Sequence, residues 1–158
     1  MMEPSFEKCL GRLLDEEVDF IVVGGLAVTL NGYVRLTEDV DVLIDRTPEN
    51  VERLIRALKG LGEGHGGEMK PQDVTAEPGA IRIIEESIGA QIDIFTQMAG
   101  LVFSDLITDA EEARMGDRAF RFASKAQLIR LKETSLREKD RLDVIALRQL
   151  IEDPGAFD

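Results

Sequence analysis

Residues 19–45, DFIVVGGLAVTLNGYVRLTEDVDVLID, constrain the fold more than any other stretch of the chain. Phe20 to Val23 is a short apolar run of the kind that forms a buried strand. Gly24-Gly25 follows as a turn, a short helix is expected from about Leu26, and a loop carrying Arg35 and Thr37 leads to a second strand bearing Asp39 and Asp41. Because successive strand side chains alternate, Asp39 and Asp41 share one face while Val40, Val42 and Ile44 turn to the core. Two carboxylates above a sheet, beside a glycine turn, form the pattern of a metal site.

The rest of the chain supplies a frame for this stretch. Phe6, Leu10, Leu13, Leu14 and Val18 recur at helical spacing, which predicts a helix over residues 4–16, and Cys9 beside that stripe reads as packing rather than as a nucleophile. Thr47-Pro48 reads as an N-cap followed by proline at the first helical position. The amphipathic helix it opens is marked by Val51, Leu54, Ile55, Leu58 and Leu61 and stopped by Gly60 and Gly62. Residues 60–80 read as a mobile loop. Gly62 to Gly67 matches the G-x-G-x-x-G spacing of dinucleotide sites, but it follows a helix and Met69-Lys70-Pro71 opens none, so the match is accidental and His65 a solvated loop residue.

Ala80 to Glu85 and Gln91 to Thr96 are expected to be strands of a hairpin joined near Ser87 to Gly89. Residues 98–113 read as loop and helix, Ala119 to Phe122 as a last strand, and Ser124-Lys125-Ala126-Gln127 as a capping box opening a helix. A final helix from about Glu138 to Ile151 ends before Pro154-Gly155.

Composition limits what such a frame can do. A chain of 158 residues with 44% hydrophobic and 5% aromatic content fits one soluble α/β domain. No apolar run approaches the roughly 20 residues of a membrane span, and MMEPSFEKC lacks the basic end and apolar core of a signal peptide, so no membrane and a cytoplasmic setting are expected. The single Cys9 excludes an intrachain disulfide and, with the single His65, a four-ligand Cys/His zinc site, which leaves oxygen to hold any metal. The net charge of −12 argues against a generic nucleic-acid surface. Its distribution is uneven: residues 124–149 hold seven basic and four acidic residues, net +3, and leave −15 elsewhere. A phosphate-bearing ligand would be drawn to that segment; a solvated helix face of mixed charge is the commoner explanation.

Asp93, between Ile92 and Ile94, repeats the pattern of Asp41 between Val40 and Val42. Any one strand-face aspartate ordinarily just meets solvent. Three that converge are different, because two like charges about 4 Å apart repel by roughly 4 kcal/mol at an effective dielectric near 20, and divalent cations relieve this. Oxygen-only ligands suit magnesium, which shares its remaining positions with substrate phosphates, and paired cations suit phosphoryl or nucleotidyl transfer. Gly24-Gly25 fits that chemistry by letting backbone N–H groups approach phosphate oxygens, although the glycines alone are equally a tight turn without a ligand. Lys132 shares a helical stripe with Leu128 and Ile129, which puts its amine near the core or the cleft, to meet either a phosphate or Asp143.

An apolar strand, Gly24-Gly25, thirteen intervening positions and Asp39-Val40-Asp41-Val42, with Asp93 in Gln91-Ile92-Asp93-Ile94, resembles the signature of the polymerase-β-like nucleotidyltransferase superfamily. Arg35-x-Thr37-x-Asp39, Leu128-Ile129-Arg130-Leu131-Lys132 and Lys139-Asp140 with Asp143 are similar to minimal bacterial members, both abortive-infection-type toxins and antibiotic nucleotidyltransferases. Gly25 stands where many members have serine, so a hydroxyl contact to phosphate is missing. The resemblance implies an α/β (α+β) nucleotidyltransferase fold with a mixed twisted sheet and flanking helices, catalytic in 1–97 and mainly helical over 98–158. It implies two magnesium ions and transfer of a nucleoside monophosphate from an NTP with release of pyrophosphate. Asp39 and Asp41 would hold the metals with Asp93, which would also assist the attacking hydroxyl. Gly24, Gly25, Arg35, Thr37 and Lys132 would bind the nucleotide. The acceptor is left open among RNA, tRNA in particular, protein and small molecules, as is a partner protein or homodimer. The alternative is an inactive binding or antitoxin-type module, against which the intact carboxylates argue.

Overall fold

The computed structural model describes residues 4–62 and 68–158. The first predicted helix is α1 (Pro4–Asp15), with Phe6, Cys9, Leu10 and Leu13 buried. β1 (Phe20–Val23), buried along its whole length, runs directly into α2 (Gly24–Leu30), and β2 (Val40–Ile44) returns antiparallel to β1. α3 (Pro48–Leu58) is followed by the expected hairpin of β3 (Ile81–Glu85) and β4 (Ala90–Phe95). After α4 (Phe103–Leu106) a second hairpin, β5 (Glu111–Met115) and β6 (Arg118–Phe122), leads to α5 (Lys125–Lys132) and α6 (Glu138–Glu152). The strands form one six-stranded sheet in the order β3-β4-β2-β1-β6-β5. β2 and β4 are parallel, as are β1 and β6, so the sheet is mixed, as the sequence implied. No helix among the described residues is long and apolar enough to cross a membrane.

Several local expectations need correction. Residues 98–113 are not only loop and helix: Glu111 to Ala113 begin β5, an edge strand whose exposed charged side chains hide it from any apolar pattern. The 98–158 part thus contributes two strands to the sheet besides its helices. The helix after β1 begins at Gly24 rather than near Leu26, and Asp39 stands one residue before β2 rather than within it. Thr47 precedes α3 but makes no side-chain cap. Ser124 does form the predicted box, accepting from the Gln127 backbone N–H at 3.3 Å while its own N–H donates to Gln127 Oε1 at 3.0 Å.

The described part of 60–80 is tied down instead of loose. Leu61 and Val74 are buried, Met69 packs on the core, and the Thr96 hydroxyl donates to the Thr75 carbonyl at 2.6 Å. Of the glycine-rich match only Gly62 falls in the described chain; the rest of it, with His65, lies outside the described residues.

Helices cover the sheet through their apolar stripes: α1 packs on α3 and β4, and α2 on β1 and β2 with α5 behind it and α6 on α5. Burial pushes the Cys9 thiol up to about 11, which fits its packing role. One buried polar side chain fixes where the central strands start and stop. Asn50 of α3 accepts from the Asp19 N–H at 2.7 Å and donates to the carbonyls of Asp19 at 3.0 Å and Asp45 at 2.6 Å. Asn50→Ala takes the partner from the Asp19 N–H and the Asp45 carbonyl, while the Asp19 carbonyl still accepts from the Asp45 N–H at 3.2 Å, and should lower stability by about 2 kcal/mol in urea denaturation. A loss below about 1 kcal/mol would show that water replaces these bonds.

Candidate active site

The parallel pairing of β2 and β4 sets Asp41 directly across from Asp93. Asp39, at the entrance to β2, turns its carboxylate into the same space, and one oxygen from each of the three lies within 4.8 Å of the others. Gln91 ties them together, its Nε2 donating to Asp39 Oδ2 at 3.3 Å and Asp93 Oδ2 at 3.5 Å. Arg82, opposite Asp93 on β3, holds that carboxylate with Nε at 3.0 Å and Nη2 at 3.3 Å. Burial first, then the charges of Asp39 and Asp93, push the Asp41 carboxyl up to about 7. Burial and a hydrogen bond with Asp93 raise Asp39 as well. The donor set is all oxygen, and Asp39 and Asp41 resist ionising beside their neighbours, so it fits a hard divalent cation that would supply positive charge.

The glycine pair makes room for this cluster. Gly24 has φ +72°, and a Cβ there would collide with Asp41 Oδ2 and lie 2.8 Å from its Cγ. A Cβ on Gly25 would lie 2.8 Å from the Thr37 hydroxyl and 3.1 Å from both terminal nitrogens of Arg35. The room that a serine side chain would take at residue 25 is therefore filled by the Thr37 hydroxyl, which donates to the Asp39 carbonyl at 3.3 Å.

Arg35 and Lys132 meet on one buried acid. Asp143, fully buried in α6, accepts from Arg35 Nε at 2.7 Å and Nη2 at 2.9 Å, and Lys132 Nζ lies 3.1 Å away. Lys132 also donates to Asp140 at 2.9 Å, and the Ser135 hydroxyl reaches the other Asp140 oxygen at 2.7 Å. Against the cost of its burial, these bonds hold Asp140 below the usual carboxylate range. Of the two partners considered for Lys132, Asp143 is the one it pairs with, and the same side chain also lines the cleft.

All eight residues singled out from the sequence, Asp39, Asp41, Asp93, Gly24, Gly25, Arg35, Thr37 and Lys132, line a single cleft of about 430 Å³. The sequence reading missed Arg82, Arg137 and Asp140 as parts of its wall. Arg82 was legible in principle, since it alternates with Ile81 and Ile83 just as Asp93 does with Ile92 and Ile94, and antiparallel register sets the two opposite.

The raised carboxyl gives a signed pH dependence. Asp41 ionises near 3.8 when unfolded and near 7 when folded without metal, so the folded chain holds more protons in that window and stability falls as pH rises through it. With a chelator present, Asp41→Asn should stabilise the protein by on the order of 2 kcal/mol at about pH 8, the gap closing by about pH 4, as read by urea denaturation. Equal stability at the higher pH would mean that the carboxylate ionises freely.

Two solved structures share this architecture. The lincosamide antibiotic adenylyltransferase LnuA, solved with lincomycin bound, superposes with a TM-score of 0.60 at 21% identity, over 95% of this chain and 98% of that one. A Thermotoga maritima protein described as a nucleotidyltransferase superposes with a TM-score of 0.56 at 16% identity, over 97% of this chain and 96% of that one. No curated protein sequence matches significantly. A sequence model for the family described as "Nucleotidyl transferase of unknown function (DUF2204)" matches residues 4–157, nearly the whole length, and the chain belongs to that nucleotidyl transferase family.

Proposed function

We propose that this protein moves a nucleoside monophosphate from an NTP to a hydroxyl acceptor, with magnesium and with release of pyrophosphate. The observation that carries this reading is the convergence of Asp39, Asp41 and Asp93 within 4.8 Å in a cleft also lined by Arg82, Lys132, Arg137 and Lys139. Magnesium held by the three carboxylates would offset their repulsion and the charge of the phosphates beside them. The basic side chains take the triphosphate, and charge-assisted hydrogen bonds there are shorter and stronger than neutral ones. Thr37, filling the space beside Gly25, would offer a phosphate oxygen its hydroxyl by giving up the bond to the Asp39 carbonyl, in place of the serine of other members.

Asp93 takes the acceptor's proton on Oδ2, the oxygen that Gln91 reaches. As that proton leaves, the acceptor oxygen bonds to the α-phosphorus, the bond to the bridging oxygen breaks, and pyrophosphate departs. Gln91, in contact with Asp39 and Asp93 together, keeps the two carboxylates in a fixed relation during transfer. The likeness to an adenylyltransferase solved with lincomycin favours a small-molecule acceptor over RNA or protein.

Calorimetry with magnesium and each NTP tests the nucleotide half of this reading. Binding should require the metal and weaken at least tenfold in Asp39→Asn with Asp41→Asn; equal binding in chelator would refute the metal assignment. Asp93 should behave differently. Asp93→Asn should keep near-normal affinity for magnesium–NTP while transfer of label from NTP into a cell extract falls roughly a hundredfold, the scale of one positioned acid–base group. Transfer at the parental rate would remove Asp93 from the mechanism.

A further inference from the structure

A second hollow, of about 510 Å³, adjoins the carboxylate cleft and shares Leu36, Thr37 and Glu38 with it. Gln91 also lines it, so one amide touches both the hollow and the two carboxylates Asp39 and Asp93. Its chemistry differs from that of the cleft. No lysine or arginine is among its described lining residues, which instead include the carboxylates of Glu38 and Glu86 and the apolar side chains of Leu36 and Ile84.

The exposure of those apolar groups is built in. Leu36 is 80% exposed although the backbone around it is anchored on both sides. Arg35 clasps the buried Asp143 and donates from Nη1 to the Leu36 carbonyl at 3.2 Å, and Thr37 donates to the Asp39 carbonyl at 3.3 Å. Ile84, 49% exposed, sits on β3 in register with Gln91 of β4. A leucine and an isoleucine held out to water beside two carboxylates offer a ligand both an apolar contact and a counter-charge.

We propose that this hollow is the acceptor subsite and that the acceptor is a small hydroxyl compound carrying a cationic amine and an apolar group. The assignment rests on the nucleotidyl-transfer reading of the cleft. An ammonium group lies against Glu38 and Glu86, the apolar group covers Leu36 and Ile84, and the hydroxyl reaches past Gln91 to Asp93, which takes its proton as the oxygen bonds to the α-phosphorus and pyrophosphate leaves. The triphosphate and the acceptor then occupy walls of opposite character. An RNA acceptor would bring its own phosphates against two carboxylates, with no lysine or arginine among the described lining residues to receive them.

Hexyl glucosaminide, its N-acetylated counterpart and bulk tRNA are suitable probes in calorimetric titrations of the full chain. The free amine should bind saturably, the N-acetyl compound at least tenfold more weakly, and tRNA should not displace the amine. Glu38→Gln with Glu86→Gln, both exposed side chains, should keep the melting temperature and weaken amine binding about tenfold, and Leu36→Ser should weaken both glucosaminides alike. Absence of amine binding, equal affinity for the two glucosaminides, unchanged affinity in the glutamate variant or displacement by tRNA would each overturn the proposal. The two readings fail separately. Amine selectivity as expected, with magnesium–NTP binding indifferent to Asp39 and Asp41, would overturn the transferase reading and the acceptor role with it. Normal magnesium–NTP binding without amine selectivity would overturn the subsite alone.

Discussion

The register between β2 and β4 is the constraint on which the site depends. It sets Asp41 opposite Asp93, a like-charge pair that by itself disfavours the pairing. The same register places Val40 against Ile92 and Val42 against Ile94, all four buried. Burying each such side chain contributes about 1.5–3 kcal/mol, so the apolar pairs together outweigh a repulsion of roughly 4 kcal/mol. A slip of one residue would turn both the carboxylates and the apolar set to the wrong faces, so the apolar pairing is what holds the acids at one place. Parallel pairing also needs a crossover, and the chain between β2 and β4, which includes α3 and β3, supplies the length.

A second buried charge joins the C-terminal helices to this sheet. A carboxylate as enclosed as Asp143 is tolerable only with partners, and it has two: the fork of Arg35 from the loop before β2 and the ammonium of Lys132 from the end of α5. Removing Arg35 would take the bidentate fork and leave Lys132 alone against a fully buried carboxylate, and removing both would leave that charge uncompensated, a change of about 3–5 kcal/mol. The pairing therefore does more than close a gap between helices. It holds the 35–37 loop over Gly25, puts Thr37 where it fills the space beside that glycine, and makes α5 and the start of α6 a wall of the cleft.

What the sequence revealed and what it hid follow from how local each signal was. Asp39, Asp41 and the glycine pair stand within one stretch, and Asp93 announces itself by the same apolar alternation, so the cluster could be read without knowing which strands pair. Arg82 alternates with apolar neighbours too, but its place beside Asp93 follows only from the register of the hairpin, and the pairing of Arg35 with Asp143 is a contact across 108 positions that no local pattern encodes. β5 escaped because an edge strand needs no apolar face: Glu111, Glu112 and Arg114 are exposed along it. The Gly116-Asp117 turn, with φ +66° at Gly116, was the available sign of a hairpin there.

The uneven charge of the chain acquires meaning once the cleft is in view. Of the basic residues in the +3 segment, Lys132, Arg137 and Lys139 face the carboxylates across the cleft, and Arg82 joins them from the opposite edge of the sheet. The cleft thus gathers five basic side chains, Arg35, Arg82, Lys132, Arg137 and Lys139, beside five acidic ones, Glu38, Asp39, Asp41, Asp93 and Asp140, within a chain of net charge −12. Beyond about 8 Å at physiological salt, screening leaves little of that local field, so a compact triphosphate that enters the cleft feels it fully. An extended polyanion would have most of its phosphates outside that range, over a surface whose remaining balance is −15. Basic side chains gathered in one cleft therefore suit a compact anion such as a nucleotide triphosphate by geometry rather than by net sign.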